Sequence, residues 1–191
     1  LAVIGPEDTT VLPGDLSWAL GIEQAEKDFA FLHEIPGRKI ILKGNHDYWW
    51  SSRRKMEECF ERNKLRTLAI LHNNCFTEEG VALCGTRGWM IEEGTPHDRR
   101  VSAREEGRLR ASLEAARQTG LEPVVFLHYP PVYLDSVSGG MIDLMHEYGV
   151  RRCLYGHLHG PSCRCAVEGE YLGLEFALIS ADHLEFRLKR L

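Results

Sequence analysis

Four short polar clusters hold the side chains of this sequence that are best suited to chemistry. Together they offer one carboxylate, one amide carbonyl and three imidazoles as potential metal ligands, and no thiolate. Imidazole combined with hard oxygen suits Mn, Fe, Zn, Ni or Co better than Ca or Mg, and the lack of thiolates argues against a structural zinc site. An open site of this kind activates water and polarises a phosphoryl oxygen. The clusters are Gly14-Asp15, Asn45-His46-Asp47, His128 and His157-Leu158-His159.

The spacing of these clusters predicts that they meet at the edge of a sheet. Each cluster directly follows a segment with the pattern of a buried strand, and sites in open α/β sheets form beyond the carboxyl ends of strands. One strand–helix–strand unit, 30 or 29 residues long, separates the first cluster from the second and the third from the fourth. Two histidines one residue apart point the same way from an extended segment. The predicted metal ligands are Asp15, Asn45, His128, His157 and His159.

The apolar pattern predicts alternating strands and helices around these clusters. Strands are predicted at residues 9–13, 38–43, 68–71, 81–84, 123–127 and 151–155. Helices are predicted at residues 22–32, 51–62, 101–118 and 140–148. Strand–helix–strand units imply parallel strands with right-handed crossovers. The tail predicts an antiparallel meander with strands at 163–167, 171–180 and 184–188, and Glu92, Glu93 and residues 98–100 predict a solvated loop.

Length, charge and cysteine content narrow the class of protein. The 191 residues fit one domain, so a single domain is predicted for residues 1–191. The net charge is −5 and the cations are scattered among acids, so a nucleic-acid partner is not indicated. No apolar run approaches the roughly 18 residues that span a bilayer and no leader pattern is found, so no membrane partner is predicted. Six cysteines at this length predict reduced thiols and a cytoplasmic protein, and nothing indicates the oligomeric state.

The clusters resemble those of the calcineurin-like metallophosphoesterase superfamily in letters, order and spacing. The resemblance rests on Gly14-Asp15, Gly44-Asn45-His46-Asp47, His128 and Gly156-His157-Leu158-His159, and it covers essentially the whole chain. The flanking residues 12–19 and 43–50 resemble the bacterial predicted phosphohydrolases of that superfamily. The resemblance implies an α/β fold, an αββα sandwich of two mixed sheets flanked by helices. It also implies a metal-dependent hydrolase that cleaves a phosphomonoester or a phosphodiester.

The resemblance assigns the metal ligands to two sites. Asp15 would bridge two ions, and Asn45, His128 and His157 would complete one site, while His159 would bind the other ion. The implied cofactors are two divalent transition-metal ions, chosen from Mn, Fe, Zn, Ni and Co. They would hold a hydroxide for in-line attack on phosphorus. The implied partner is a small-molecule phosphoester.

The resemblance also places two residues at the reaction itself. His46 would be the acid or the charge stabiliser at the leaving oxygen. Asp47 would accept a hydrogen bond from the His46 ring and so fix its tautomer and orientation. Asp47 has an alternative interpretation, in which it caps the turn at Tyr48-Trp49.

One element of the superfamily pattern is missing from the sequence. The superfamily opens with an Asp-x-His on its first strand, which supplies two ligands to the ion that His159 would share. No Asp here is followed two positions later by His, and the sequence starts at Leu1 rather than at Met. We therefore expect the first strand to be absent from this sequence, the domain to be incomplete at its N-terminus, and metal to be weak or absent at that position.

Three further interpretations keep two alternatives each. Arg87 either grips substrate phosphate with its guanidinium or forms a structural salt bridge. The function has an alternative in a non-catalytic metal-binding scaffold on the same fold, although His46 favours the enzyme because a scaffold needs no leaving-group acid. Four aromatic residues near the clusters either line a substrate cleft or pack in the core, namely Trp18, Trp49, Trp50 and Trp89.

Overall fold

Strands and helices alternate along the chain, and the polar clusters lie at strand ends. The computed structural model describes residues 3–90 and 94–191. The predicted loop at Glu92 and Glu93 therefore lies outside the described residues. In chain order the elements are β1 (Thr9–Leu12), α1 (Ile22–Glu34), β2 (Arg38–Ile41), α2 (Arg53–Arg62), β3 (Leu68–Ile70), β4 (Phe76–Glu78), β5 (Val81–Thr86), α3 (Pro96–Arg117), β6 (Glu122–Leu127), β7 (Val132–Tyr133), β8 (Ser136–Val137), α4 (Gly139–Glu147), β9 (Arg152–Tyr155), a 3₁₀ helix (Gly160–Cys165), β10 (Gly169–Tyr171) and β11 (Leu174–Leu178).

The first sheet consists of β1, β2 and β3, which run parallel in that order. Leu12 pairs with Ile41, so the segments that follow β1 and β2 leave the sheet side by side. The last three residues of β2 are buried, as expected for the central strand of a parallel sheet. Lys39 tolerates this burial because its Nζ donates hydrogen bonds to the carbonyl oxygens of Ile35 and Gly37.

The second sheet has six strands in the order β10-β11-β9-β6-β5-β4. The four inner strands are parallel, and the two outer strands, β10 and β4, are antiparallel to their neighbours. Leu127 at the end of β6 pairs with Thr86 of β5 on one side and with Tyr155 of β9 on the other. The residues after β5, β6 and β9 therefore emerge at three adjacent strand ends.

Three apolar layers define an αββα sandwich, as predicted, but only the second sheet is mixed, since the described strands of the first sheet are all parallel. On the outer face of the first sheet, α1 and α2 pack through residues such as Phe29 and Met56. Between the sheets, Leu42 meets Phe126 and other residues of the second sheet. On the outer face of the second sheet, α3 and α4 pack through residues such as Leu109. The two sheets thus lie face to face, and the loops at their carboxyl ends are brought to one edge.

The helix α3 begins earlier than the sequence pattern predicts. Thr95 caps it: its Oγ1 accepts a hydrogen bond from the backbone N–H of Asp98, and the Asp98 carboxylate accepts one from the backbone N–H of Thr95. Pro96 fits the first helical turn, where no N–H is needed. Residues 98–100 are therefore helical and not a loop, because this capping box extends the helix by a turn. Among the described residues no helix, α3 included, is long and apolar enough to cross a membrane.

The tail differs from the predicted meander. Residues 163–165 belong to the 3₁₀ helix, and residues 184–186 form a turn in which the backbone N–H of Leu184 donates to the carbonyl oxygen of Ser180. Within the tail, β10 and β11 form a hairpin, joined by Leu172 and Gly173 with positive φ at both positions. β11 also pairs parallel with β9 and is mostly buried. A buried parallel strand and a strand of an antiparallel meander can have the same apolar pattern, so the sequence did not distinguish them.

Candidate metal centre

Two loops of the first sheet touch backbone to backbone at the first two clusters. Gly14 has a φ of +101°, and a Cβ added there would lie 2.5 Å from the Cα of Gly44. A Cβ added to Gly44 would lie 2.0 Å from Oδ1 of Asp15. Only glycine permits both the left-handed backbone and this close approach. The contact places Asp15 and Asn45 beside each other, as their spacing predicts.

The carboxylate of Asp47 joins these two loops. It is 1% exposed and accepts hydrogen bonds of 2.7–3.2 Å from five N–H groups. One comes from its own loop, one from the indole of Trp49 and three from the backbone of the loop after β1. The donors are the backbone N–H groups of Gly44, Asp15, Leu16 and Ser17 and the indole Nε1 of Trp49.

The ring of His46 is held by two aromatic residues. It stacks on Trp18 with a centroid distance of 4.0 Å and an interplanar angle of 7°. Its Nδ1 forms a 3.0 Å hydrogen bond with the hydroxyl of Tyr48, and Nε2 bonds to no described residue. The predicted hydrogen bond from this ring to Asp47 is therefore wrong, because N–H groups of the two loops occupy the Asp47 oxygens.

Asp15, His128 and His157 form a group that could hold a metal ion. One ligand atom from each lies within 4.8 Å of the others. Nε2 of His128 lies 3.6 Å from Oδ2 of Asp15 and 3.2 Å from Nδ1 of His157. These residues follow β1, β6 and β9, so both sheets contribute. Asp15 and His157 have φ of 56° and 70°, a left-handed backbone that is uncommon outside glycine.

The hydrogen bonds of His128 show which of its ring nitrogens can bind a metal ion. Nδ1 lies 2.9 Å from the carbonyl oxygen of Pro13, which can only accept, so Nδ1 carries the ring proton. In the neutral ring Nε2 then presents a lone pair, and Oδ1 of Asn45 lies 2.6 Å from it. Nδ1 of His157 also lies 3.2 Å from this nitrogen, so a bound cation, or an N–H of the His157 ring or of the Asn45 amide, can satisfy its lone pair. The donor set of Asp15, Asn45, His128 and His157 therefore fits a divalent transition-metal ion.

Burial keeps both imidazoles of the group in the metal-binding form. It lowers the pKa of His128 below its ordinary value, although the Asp15 carboxylate acts in the opposite direction. Burial also lowers the pKa of His157 to about 4, and the neighbouring His128 adds to this lowering. Both rings are consequently neutral near pH 7, the protonation state that a metal ion requires.

His159 lies outside this group. Its side chain is 57% exposed, and its Nδ1 lies 2.7 Å from Oδ1 of Asp182. The backbone N–H of Gly160 donates to the other Asp182 oxygen. The pKa of Asp182 is lowered to about 2, and this hydrogen bond is the largest cause. Sequence reasoning missed Asp182, which lies 23 residues further along the chain with no motif around it. Carboxylates often orient ligand histidines in this way and leave the other ring nitrogen free.

Arg87 forms the salt bridge that the sequence left as one of two alternatives. Its side chain is 13% exposed, and Nη2 lies 3.6 Å from Oε1 of the buried Glu105. Its guanidinium carbon lies 5.1 Å from the ring centroid of Trp89 and 6.0 Å from that of Tyr129. A contact with substrate phosphate remains a prediction.

The other aromatic residues divide between the core and the site. Trp49 is 2% exposed and packs on Phe29, so core packing is correct for it. Trp18 is 66% exposed and borders the site through His46. Tyr129, which sequence reasoning missed although it directly follows His128, packs on the His157 ring at 4.4 Å.

A surface cavity lies elsewhere on the molecule. It has a volume of about 710 Å³ and lies beside β3 and β4, where Arg38, Phe60 and Phe76 help to line it. None of the predicted site residues reaches it. We therefore locate the candidate site by its ligand chemistry.

Replacing Asp47 by Asn should destabilise the fold by about 3 kcal/mol. Asn keeps the shape but turns one acceptor oxygen into a donor that faces N–H groups, so several of the five hydrogen bonds are lost. Urea unfolding followed by circular dichroism measures the change. The matched control is Asp8→Asn, since Asp8 is exposed and accepts one bond from the backbone of Gly5. Equal stability of the two variants would contradict the role given to Asp47.

His128→Ala and His157→Ala should each weaken Mn²⁺ binding by at least tenfold. Loss of a group that merely orients a ligand costs about 10–100-fold, and loss of the ligand itself should cost no less. Isothermal titration calorimetry with Mn²⁺ gives the affinity and the stoichiometry. His146→Ala is the control, because that ring is exposed and lies on α4. We expect one tight ion for each 191-residue chain, and binding that survives in both test variants would rule out this ligand set.

Comparisons with known proteins agree with this geometry. A family model described as Calcineurin-like phosphoesterase matches residues 1–161. The solved structure of TT1561 from Thermus thermophilus aligns with a TM-score of 0.56 and 16% identity, over 80% of this chain and 70% of that chain. A second solved structure aligns with a TM-score of 0.51 and 14% identity, over 81% of this chain and 62% of its own.

These comparisons carry different weight. At such identities the two structural alignments show the fold alone, and no curated protein matches the chain in sequence. The family model covers most of the chain and all four polar clusters. The chain therefore belongs to the calcineurin-like phosphoesterase family.

Proposed function

We propose that this chain hydrolyses small-molecule phosphoesters with a divalent transition-metal ion held by Asp15, Asn45, His128 and His157. Its family implies metal-dependent hydrolysis of phosphoesters. The observation that carries the proposal is the convergence of Asp15, Asn45, His128 and His157 at the strand ends, where Nε2 of His128 faces the other three side chains. A bound ion in such a site lowers the pKa of its water and polarises a phosphoryl oxygen.

The chain's own residues prepare this site before substrate binds. Asp47 fixes the loops that carry Asp15 and Asn45, and the carbonyl of Pro13 fixes the tautomer of His128. Neutral imidazoles leave the site free for cations. A ligand set held at fixed geometry needs little reorganisation on binding, which favours catalysis.

His46 is the group that we assign to the leaving oxygen. It lies next to Asn45 in sequence, and its backbone N–H donates to Oδ1 of Asp15 at 2.8 Å. Tyr48 occupies Nδ1, so Nε2 is the ring nitrogen that can deliver a proton or a hydrogen bond to substrate. Stacking on Trp18 fixes the plane of the ring. We assign Asp47 a structural role in place of contact with His46.

A second ion is part of the proposal. Asp15 and His159 would hold it, with Asp182 orienting the His159 ring through Nδ1. Of the predicted ligands, only Asp15 and His159 would bind this second ion, so we expect weaker binding there than at the first site. A paired ion would share the charge of the phosphoryl oxygens.

His46→Ala should lower kcat by about 100-fold or more while Mn²⁺ binding is retained, because general acids contribute about 10²–10⁴-fold. The assays use p-nitrophenyl phosphate, its bis ester and phenyl phosphate with added Mn²⁺. The loss should be larger for phenyl phosphate, whose leaving group needs the proton more. His146→Ala should behave as wild type. Absence of metal-dependent turnover of any ester by the wild type would favour a non-catalytic metal-binding module.

Tyr48→Phe should lower kcat by about threefold to tenfold at unchanged KM, the loss expected for one hydrogen bond that orients His46. Trp18→Ala should act in the same direction, and Trp18→Phe, which keeps a stacking ring, should recover most of the activity. The ¹⁵N shifts of the His46 ring report its tautomer directly and should change in Tyr48→Phe. Phe31→Ala, at an exposed aromatic position on α1, is the control. Unchanged shifts and kcat in Tyr48→Phe would remove Tyr48 from this role.

A further inference from the structure

Several cations lie beside the candidate metal ligands around one buried carboxylate. Glu105 of α3 is 0% exposed. Its Oε2 accepts a 2.7 Å hydrogen bond from the hydroxyl of Thr86. Its Oε1 accepts a 2.7 Å hydrogen bond from Nη1 of Arg108 and lies 3.6 Å from Nη2 of Arg87. Together with Lys43, which precedes the second polar cluster, Arg87 and Arg108 form what we call the basic cluster.

The basic cluster has more positive charge than its described partners balance. Lys43 makes no hydrogen bond or ion pair with any described residue. Nε of Arg87 is buried and has no hydrogen-bond partner within residues 3–90 and 94–191. Glu105 thus pairs with Arg87, Arg104 and Arg108, and Lys43 adds a fourth cation, an arrangement that an added anion would stabilise.

Asp47 does not supply the missing charge. It lies close enough to Lys43 to attract that ammonium, but no hydrogen bond or ion pair joins the two side chains among the described residues. The Asp47 oxygens already accept five hydrogen bonds from the loops and from Trp49. Asp47 therefore leaves the charge of the basic cluster unbalanced.

Strand order places the basic cluster next to the metal ligands. In the second sheet His157, His128 and Arg87 follow β9, β6 and β5, which are consecutive neighbours. In the first sheet Asp15 follows β1, while Lys43 follows β2. Adjacent strands are about 4.8 Å apart. Arg87 and Lys43 therefore each follow a strand next to one that carries a metal ligand, and this spacing is within the length of a small substrate.

We propose that the basic cluster is a subsite for a second phosphate group, so that the substrate is a small-molecule bisphosphate. The proposal rests on the proposed hydrolase function, since one phosphate would lie at the metal ligands while Arg87 and Lys43 bind the other. Guanidinium groups pair with phosphate through two parallel hydrogen bonds, and the Arg87 side chain is 13% exposed with its Nε unpaired among the described residues. The net charge of −5 favours a small anion over a nucleic-acid strand.

Three matched esters test the subsite by their rates of hydrolysis with Mn²⁺: propyl phosphate, propane-1,3-diol bisphosphate and 4-phosphonooxybutanoate. The wild type should show about a tenfold or higher kcat/KM for the bisphosphate than for propyl phosphate. Lys43→Gln and Arg87→Gln should bring this ratio close to one by raising KM for the bisphosphate. Arg110→Gln is the control, because Arg110 lies on the same helix and pairs with Glu147.

Four outcomes would overturn the assignment. A ratio near one in the wild type removes the subsite, and a ratio that survives in both test variants removes these residues from it. Equal rates for the carboxylate ester and the bisphosphate show a general anion site instead of a phosphate site. Preference for a short oligothymidylate that is lost in the same variants assigns the cluster to a polynucleotide.

Binding to an inactive variant separates this proposal from the proposed function. His46→Ala, loaded with Mn²⁺ and dialysed, is titrated with propyl phosphate and with the bisphosphate by calorimetry. Suppose that the wild type hydrolyses no ester, that His46→Ala binds the bisphosphate at least tenfold more tightly than propyl phosphate, and that adding Arg87→Gln removes this difference. The subsite then stands and the hydrolase function fails. If esters are hydrolysed without any preference, the subsite fails alone. Thermal unfolding shows whether Arg87→Gln still folds. Lys43→Gln changes a partly exposed residue and provides an independent test of the subsite.

Discussion

The buried carboxylate of Asp47 is the interaction on which the site depends. A carboxylate removed from water is costly unless hydrogen bonds replace its hydration, and here five N–H groups do so. Four of these donors belong to the backbone of two loops that are 30 residues apart in sequence. The loops follow adjacent parallel strands, but register alone fixes only where each loop starts. Asp47 fixes the path of the loops afterwards, and with it the positions of Asp15 and Asn45.

The site combines two kinds of support. Backbone register and the contact of Gly14 with Gly44 position the metal ligands. The positions of these ligands are therefore fixed by the two sheets. The ring of His46 depends instead on two exposed side chains, Trp18 and Tyr48. Ligand positions are therefore expected to be rigid, whereas the acid is held by groups that can rearrange when substrate enters.

Sequence periodicity was sufficient to predict the parallel strands and the edge at which the clusters meet. Strand ends are local signals, and parallel connections convert them into a shared location. Periodicity did not predict the partners of individual side chains. Asp47 accepts hydrogen bonds from backbone N–H groups, and Asp182 contacts His159 from a turn that is distant in sequence. Periodicity also failed in the tail, where apolar alternation does not show whether a strand pairs parallel or antiparallel.

The left-handed backbone at Asp15 and His157 creates a conflict between stability and metal binding. Glycine would adopt these angles without strain, and a side chain there costs about 1 kcal/mol or more. The metal site nevertheless needs a carboxylate and an imidazole at these two positions. Selection for stability alone would therefore drive both residues toward glycine and empty the site. Stabilised versions of this chain chosen without a binding requirement should be inspected first at these two positions.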